Sequence, residues 1–175
     1  DRLEKTRFTG PIAGFDSFEG LPETWRGNFK EGRFATDYDS VREKVPDKIA
    51  LYKGWFQDTI GTFLFDNPDT PAGFINHDGD LFLSTAITFS LLNNRIVPGT
   101  LMCFDELIGY PGFQKHEILS LFIWMREMEA TLCPIAVYKL NRTVASDFDM
   151  KKEVGQGSQG ACYQVLEIPG KRVPI

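Results

Sequence analysis

Two pairs of carboxylates close short apolar runs in this chain: Asp78 and Asp80 follow AGFINH, and Asp105 and Glu106 follow GTLMCF. Carboxylates crowded at one rim repel one another and are costly unless solvated, protonated or neutralised by a cation. Two acidic strand ends side by side therefore favour a hard metal such as magnesium, manganese or calcium. The competing reading is ordinary turn chemistry, because Asp and Gly also commonly follow a strand. An EF-hand is excluded: Leu81 stands where that loop needs glycine, and no glutamate closes it. His77, beside the cluster, could act as a general base near neutral pH, although a histidine on the inner face of a strand is more often a hydrogen-bonded core residue. His116 follows the turn Gly109-Tyr110-Pro111-Gly112 and is either a contributor to the Asp105-Glu106 rim or a solvated helix residue. Trp55 and Phe56 could stack on a purine ring or cover a sheet edge.

The elements that must position these groups follow from hydrophobic patterning. Six β-rich runs, at 11–16, 48–55, 72–78, 99–106, 134–140 and 161–168, alternate with polar or helical stretches. Residues 83–95 place Ile87, Leu91 and Leu92 on one helical face, with Ser84 or Thr85 as the cap and Pro98-Gly99 at the exit. Gln114 to Ala130 stacks Ile118, Leu121, Phe122 and Met125 at helical spacing. Strand, helix, strand, helix, strand predicts an α/β domain with a largely parallel sheet, whose ligands sit at the carboxyl ends of the strands. Asp16-Ser17, Gly54-Trp55, Asp78-Gly79-Asp80 and Asp105-Glu106 all fall there. The glycine-rich polar segment 147–160 predicts an antiparallel, hairpin-like pairing of the last two strands. Residues 22–47, broken by Pro22, Gly27, Gly32 and Pro46, predict a mobile surface loop or lid.

The 175 residues, 42% hydrophobic and 13% aromatic, fit a single domain with a real core. A net charge of −5 with dispersed lysines and arginines lacks the footprint of a nucleic-acid binder and favours small-molecule or protein partners. Cys103, Cys133 and Cys162 match neither a metal motif nor a dense disulfide framework, so a soluble, intracellular protein in a reducing compartment is expected. No apolar run reaches the length of a membrane span.

Taken in order, GFDSFEGLPE (14–23), LYKGWFQDT (51–59), HDGDLFLST (77–85) and PGTLMCFDELIGYPGF (98–113) resemble the macrocin O-methyltransferase family of class I S-adenosylmethionine-dependent methyltransferases. The likeness runs from Ile12 to about Ile168 in one order. It implies a Rossmann-like, mostly parallel sheet with an antiparallel edge, and methylation of hydroxyl groups on sugars or other small molecules, commonly with a divalent cation. By the same resemblance Asp16, with Ser17 beside it, would hold the cofactor's ribose hydroxyls, and Gly54, Trp55 and Asp58 would lie near its adenine. Asp78, Asp105 and Glu106 would be ligands for Mg2+ or a similar cation, with Asp80 and His77 as supporting or catalytic groups. The family more usually carries two aspartates at the last pair, so Glu106 is a departure that lengthens one ligand arm.

The resemblance also implies a first strand and a glycine-rich cofactor loop ahead of GFDSF, and the residues preceding that motif contain neither. That strand would stand between the strand ending at Asp16 and the one ending at Asp78. The expectation is a C-terminal portion of a methyltransferase-like domain. Alternatively, a partner chain supplies the strand, or the sheet has closed into a degenerate relative of the fold; relatives often associate as oligomers. Two functions follow: an O-methyltransferase, if the cofactor motif is present upstream, or a non-catalytic methyltransferase-like scaffold. A phosphoryl-transfer enzyme is disfavoured by the lack of a phosphate-binding glycine-lysine loop.

Overall fold

The computed structural model describes residues 10–27, 29–138 and 159–171. Six strands and four helices follow one another: β1 (Ile12–Asp16), α1 (Tyr38–Arg42), β2 (Ile49–Lys53), α2 (Phe56–Asp66), β3 (Phe74–His77), α3 (Phe82–Leu92), β4 (Leu101–Phe104), α4 (Glu117–Glu127), β5 (Thr131–Tyr138) and β6 (Gly160–Glu167). The strands form two sheets: β1 and β2 pair in parallel, while the other four take the order β3-β4-β6-β5. β3 and β4 are parallel, and β6 runs antiparallel to both β4 and β5. The six expected strands all form. The last two do pair antiparallel, yet β6 lies inside the sheet and β5 at its edge. Most of the segment expected to join them, 147–160, lies outside the described residues.

The core belongs to the four-stranded sheet. Along β4 the pleat sends Met102 and Phe104 to one face, where α3 and α4 cover them with Phe89, Leu121 and Trp124. Trp124 stacks on Phe89 at 5.0 Å and its indole N–H donates to Asn93 Oδ1 at 3.0 Å, so the largest core side chain also has its polar atom satisfied. On α4 the buried residues are Glu117, Ser120, Leu121 and Trp124; of the expected face, Leu121 is buried, Ile118 and Met125 pack against the core from its margin, and Phe122 does not. Phe122 is exposed because the apolar stretch wraps most of the helix, and periodicity alone does not choose a face. The α3 helix begins without a side-chain cap. Thr85 and Thr88 instead turn their hydroxyls back onto the Leu81 and Ser84 carbonyls, which lets both be buried.

Cys103 and Cys162 are directly opposed on β4 and β6 and form a disulfide, a pairing that the cysteine spacing does not announce. Their separation of 59 residues hides a contact that the antiparallel register creates. Cys133 is free. No helix among the described residues is long and apolar enough to cross a membrane.

The smaller sheet is held by aromatic contacts: Phe15 stacks on Tyr52 at 5.0 Å and meets Phe63 of α2 edge-on at 5.6 Å. The α2 helix, which hydrophobic patterning does not single out, packs on β1 and β2 and against α3, joining the two sheets. Among the described residues no strand joins β1 to β3, and the two sheets stay separate.

Candidate active site

The carboxyl ends of β1, β2, β3 and β4 meet at one cavity of about 730 Å³. Asp16 and Ser17 line it from β1, Trp55 and Phe56 from the start of α2, Asp78 and Asp80 from the β3–α3 loop, and Asp105 and Glu106 from beyond β4. The four strands must therefore point the same way although they belong to two sheets. The cavity sits at their junction, at the carboxyl ends of the strands, where open α/β sheets bind ligands.

Three expected site residues do not line this cavity. Gly54, with φ 140°, donates its amide to the Asp16 carbonyl at 2.9 Å and so ties the ends of β1 and β2 together. Asp58 stands exposed in the first turn of α2. His77 is 5% exposed, stacked on Phe104 and Phe89, with Nδ1 3.2 Å from Glu117 Oε1. A ring enclosed in that way has the placement of a hydrogen-bonded core residue beneath the site. Glu117, fully buried at the start of α4, also accepts the Gly79 amide at 3.1 Å, so α4 fixes the loop that carries Asp78 and Asp80. A Cβ on Gly79 would lie 2.6 Å from the His77 ring, so a glycine is required where the loop crosses it.

Asp80 is the most perturbed group of the rim. Burial, followed by the charges of Glu106, Asp78 and Glu117 and a hydrogen bond with Glu106, pushes its carboxyl up to about 8. Its backbone is left-handed, φ 59°, a conformation that Asp tolerates better than most residues.

The wall opposite the rim comes from residues 17–27 and 29–36, which overlap the 22–47 stretch expected to be a mobile surface loop or lid and are tied by local hydrogen bonds. Asp16 Oδ1 accepts the Phe18 amide, Ser17 Oγ accepts that of Glu19, and Trp25 and Phe29 form a small antiparallel bridge. Leu21, Trp25, Leu81 and Tyr110 make a second buried cluster beneath it. His116 belongs to this cluster: the Trp25 indole donates to its Nδ1 at 3.3 Å and the Tyr110 hydroxyl lies 3.1 Å from the same atom. An Nδ1 that accepts from tryptophan carries no proton, in keeping with a pKa lowered by burial and by the charge of Arg26.

Arg26 is a site residue that the sequence does not announce. Its guanidinium lies 3.7 Å from the Trp25 ring and 3.5 Å from the Tyr110 ring, donates to Glu106 Oε2 at 2.7 Å, and meets Gln159 Oε1 at 3.3 Å through both terminal nitrogens. Each cation–π contact of a desolvated guanidinium is worth about 1–2 kcal/mol. No spacing pattern marks such a residue. Its sequence signal is only an arginine next to a tryptophan in a glycine-broken loop.

The donor set does not fit the divalent cation that the sequence resemblance implies. Among the described residues no group of three or more His, Cys, Asp or Glu side chains is gathered closely enough to hold a metal ion. Glu106, one of the three expected ligands, is engaged by Arg26. The nucleoside side fits better, with an exposed carboxylate at Asp16 and the aromatic pair Trp55 and Phe56 on the same cavity.

Comparisons with known proteins agree with this geometry. The structure resembles that of the O-methyltransferase NovP, with a TM-score of 0.61 and 19% identity over 95% of this chain and 64% of that one. It also resembles the calicheamicin methyltransferase CalS11, with a TM-score of 0.57 and 21% identity over 89% of this chain and 62% of that one. The chain therefore has the Rossmann-like fold of class I methyltransferases. In sequence it is 30% identical over 110 residues to 8-demethyl-8-(2,3-dimethoxy-alpha-L-rhamnosyl)-tetracenomycin-C 4'-O-methyltransferase of Streptomyces olivaceus, covering 52% of this chain and 40% of that protein. The resemblance to macrocin O-methyltransferase-like proteins carried by the four motifs is matched by these relatives. No protein-family profile matches the chain. The chain spans less than two thirds of the length of each of these relatives.

Proposed function

We propose that this chain forms the acceptor side and part of the cofactor side of an S-adenosylmethionine-dependent O-methyltransferase acting on a hydroxyl group of a sugar or natural product. The observation that carries this proposal is the convergence of Asp16, Trp55, Asp80 and Asp105 on one cavity at the junction of the two sheets. The named activities of the tetracenomycin enzyme and of the two structural neighbours support it. When bound, the cofactor supplies an electrophilic methyl group. Asp16 would accept hydrogen bonds from its ribose hydroxyls, and Trp55 with Phe56 would pack on its base. Asp80 would accept the proton of the acceptor hydroxyl as that oxygen takes the methyl group. A carboxyl raised to about 8 is a stronger base, once ionised, than an ordinary one and is well matched to a hydroxyl acceptor. Most of the remaining acceleration would come from holding the two reactants in line.

The test is methyl transfer from labelled S-adenosylmethionine to nucleotide-linked deoxysugars. The expected profile rises as pH passes about 8, and Asp80→Asn abolishes the rise. Transfer that is unchanged in Asp80→Asn would remove Asp80 from the chemistry. No transfer to any hydroxylated acceptor would favour a non-catalytic scaffold.

A further inference from the structure

The rim that invites a cation already holds one. Glu106 receives the Arg26 guanidinium at 2.7 Å, and the pair is four-fifths buried, with side-chain exposures of 17% and 18%. The guanidinium carbon lies close over both the Trp25 and the Tyr110 rings, which are inclined at 76° to each other, a corner that a broad, weakly hydrated guanidinium fills better than an ammonium. Its fourth contact, Gln159, is itself fixed, because its carbonyl accepts the amides of Leu107 and Ile108 just beyond Glu106. The backbone is also committed to the arrangement. Arg26 adopts φ 50° and Gly27 φ 66°, and the Trp25–Phe29 bridge closes around that turn.

We propose that Arg26 is the resident cation of the acidic rim, that through Glu106 it latches residues 21–27 and 29–34 over the cavity, and that a divalent cation reaches Glu106 only by displacing it. Cation binding and opening of this segment are then linked. A metal that binds the rim must loosen the loop, and any change that removes the arginine must raise the affinity of the rim for metal. The linkage concerns only Arg26, Glu106 and the loop, so it stands or falls independently of methyl transfer.

The experiment is titration of the 175-residue chain with Mn2+, read by electron paramagnetic resonance, together with amide hydrogen exchange of the loop. Arg26→Met, close in length and uncharged, is expected to bind Mn2+ at least about tenfold more tightly than the unsubstituted chain. Equal or weaker affinity in Arg26→Met, including no binding by either protein, overturns the proposal. Arg26→Lys should bind between the two and lose part of the loop protection, as a charge without the stacking plane. A second measurement needs no variant. As Mn2+ saturates the unsubstituted chain, the Trp25 and Phe29 amides should exchange faster, whereas unchanged or slower exchange would contradict the latch. If the unsubstituted chain binds no Mn2+ and Arg26→Met does, the proposal is supported in its strongest form.

Discussion

The two sheets contribute equally to the cavity rim and very unequally to the core. The four-stranded sheet has Met102, Phe104, Ala161 and Val165 sealed under α3 and α4, with Ile96, Leu107 and Ile168 closing the ends. The two-stranded sheet has no fully buried residue in either strand, and α2 adds only Ile60. Two parallel strands and one helix cannot seal a core of their own, and two-stranded sheets are marginal in water. The smaller unit is held by the Phe15, Tyr52 and Phe63 cluster and by α2 packed on α3. A site with one wall built on a large core and the other held by a few aromatic contacts can admit a large ligand and tighten around it.

Substitutions should separate the two units. Trp124→Ala, which removes a buried ring stacked on Phe89, is expected to cost about 3–5 kcal/mol and to shift the global urea transition. Phe15→Ala should cost roughly half as much and raise hydrogen exchange in β1 and β2 while β4 and β6 stay protected. Equal effects on both sheets would show one cooperative unit. Gly20→Ala comes next. Its Cβ would lie 2.4 Å from the Arg33 carbonyl oxygen, 2.6 Å from that of Gly32 and 2.7 Å from the Ala35 nitrogen, at φ 82°. Relief requires the 17–36 segment to shift, at a cost of roughly 1–3 kcal/mol, with altered Trp25 fluorescence and an intact larger sheet. A separate effect is electrostatic and depends on pH. Asp80 has a folded pKa of about 8 against an ordinary 3.8, so folding favours its protonated form. Stability from this group is complete below about pH 4 and is lost as pH rises through about 8. Asp80→Asn should flatten that slope, which is checked by thermal melts at stepped pH.

The acidic wall is largely legible in the sequence because it rests on local rules. Apolar runs ending in Asp or Gly mark β3 and β4, and helical periodicity marks α3 and α4. What escapes depends on register and on long-range contact. Cys103 and Cys162 meet only because β6 enters antiparallel between β4 and β5. Arg26 reaches Glu106 across 80 residues, and Glu117 reaches His77 across 40, through folding that no local pattern encodes. The helix α2 is hard to see in the sequence because Phe56, Ile60, Phe63 and Leu64 are interrupted by Gly61, which weakens the helical signal. His77 is open to two readings from sequence, and its enclosure by Phe104, Phe89 and Glu117 decides for the supporting one.

The central claim is that one ligand site spans both sheets. Amide hydrogen exchange with and without S-adenosylhomocysteine tests it most directly. The account predicts added protection on both walls at once, at residues 14–18 and 54–57 and at residues 77–81. Protection confined to one wall, or none at saturating ligand, would contradict it.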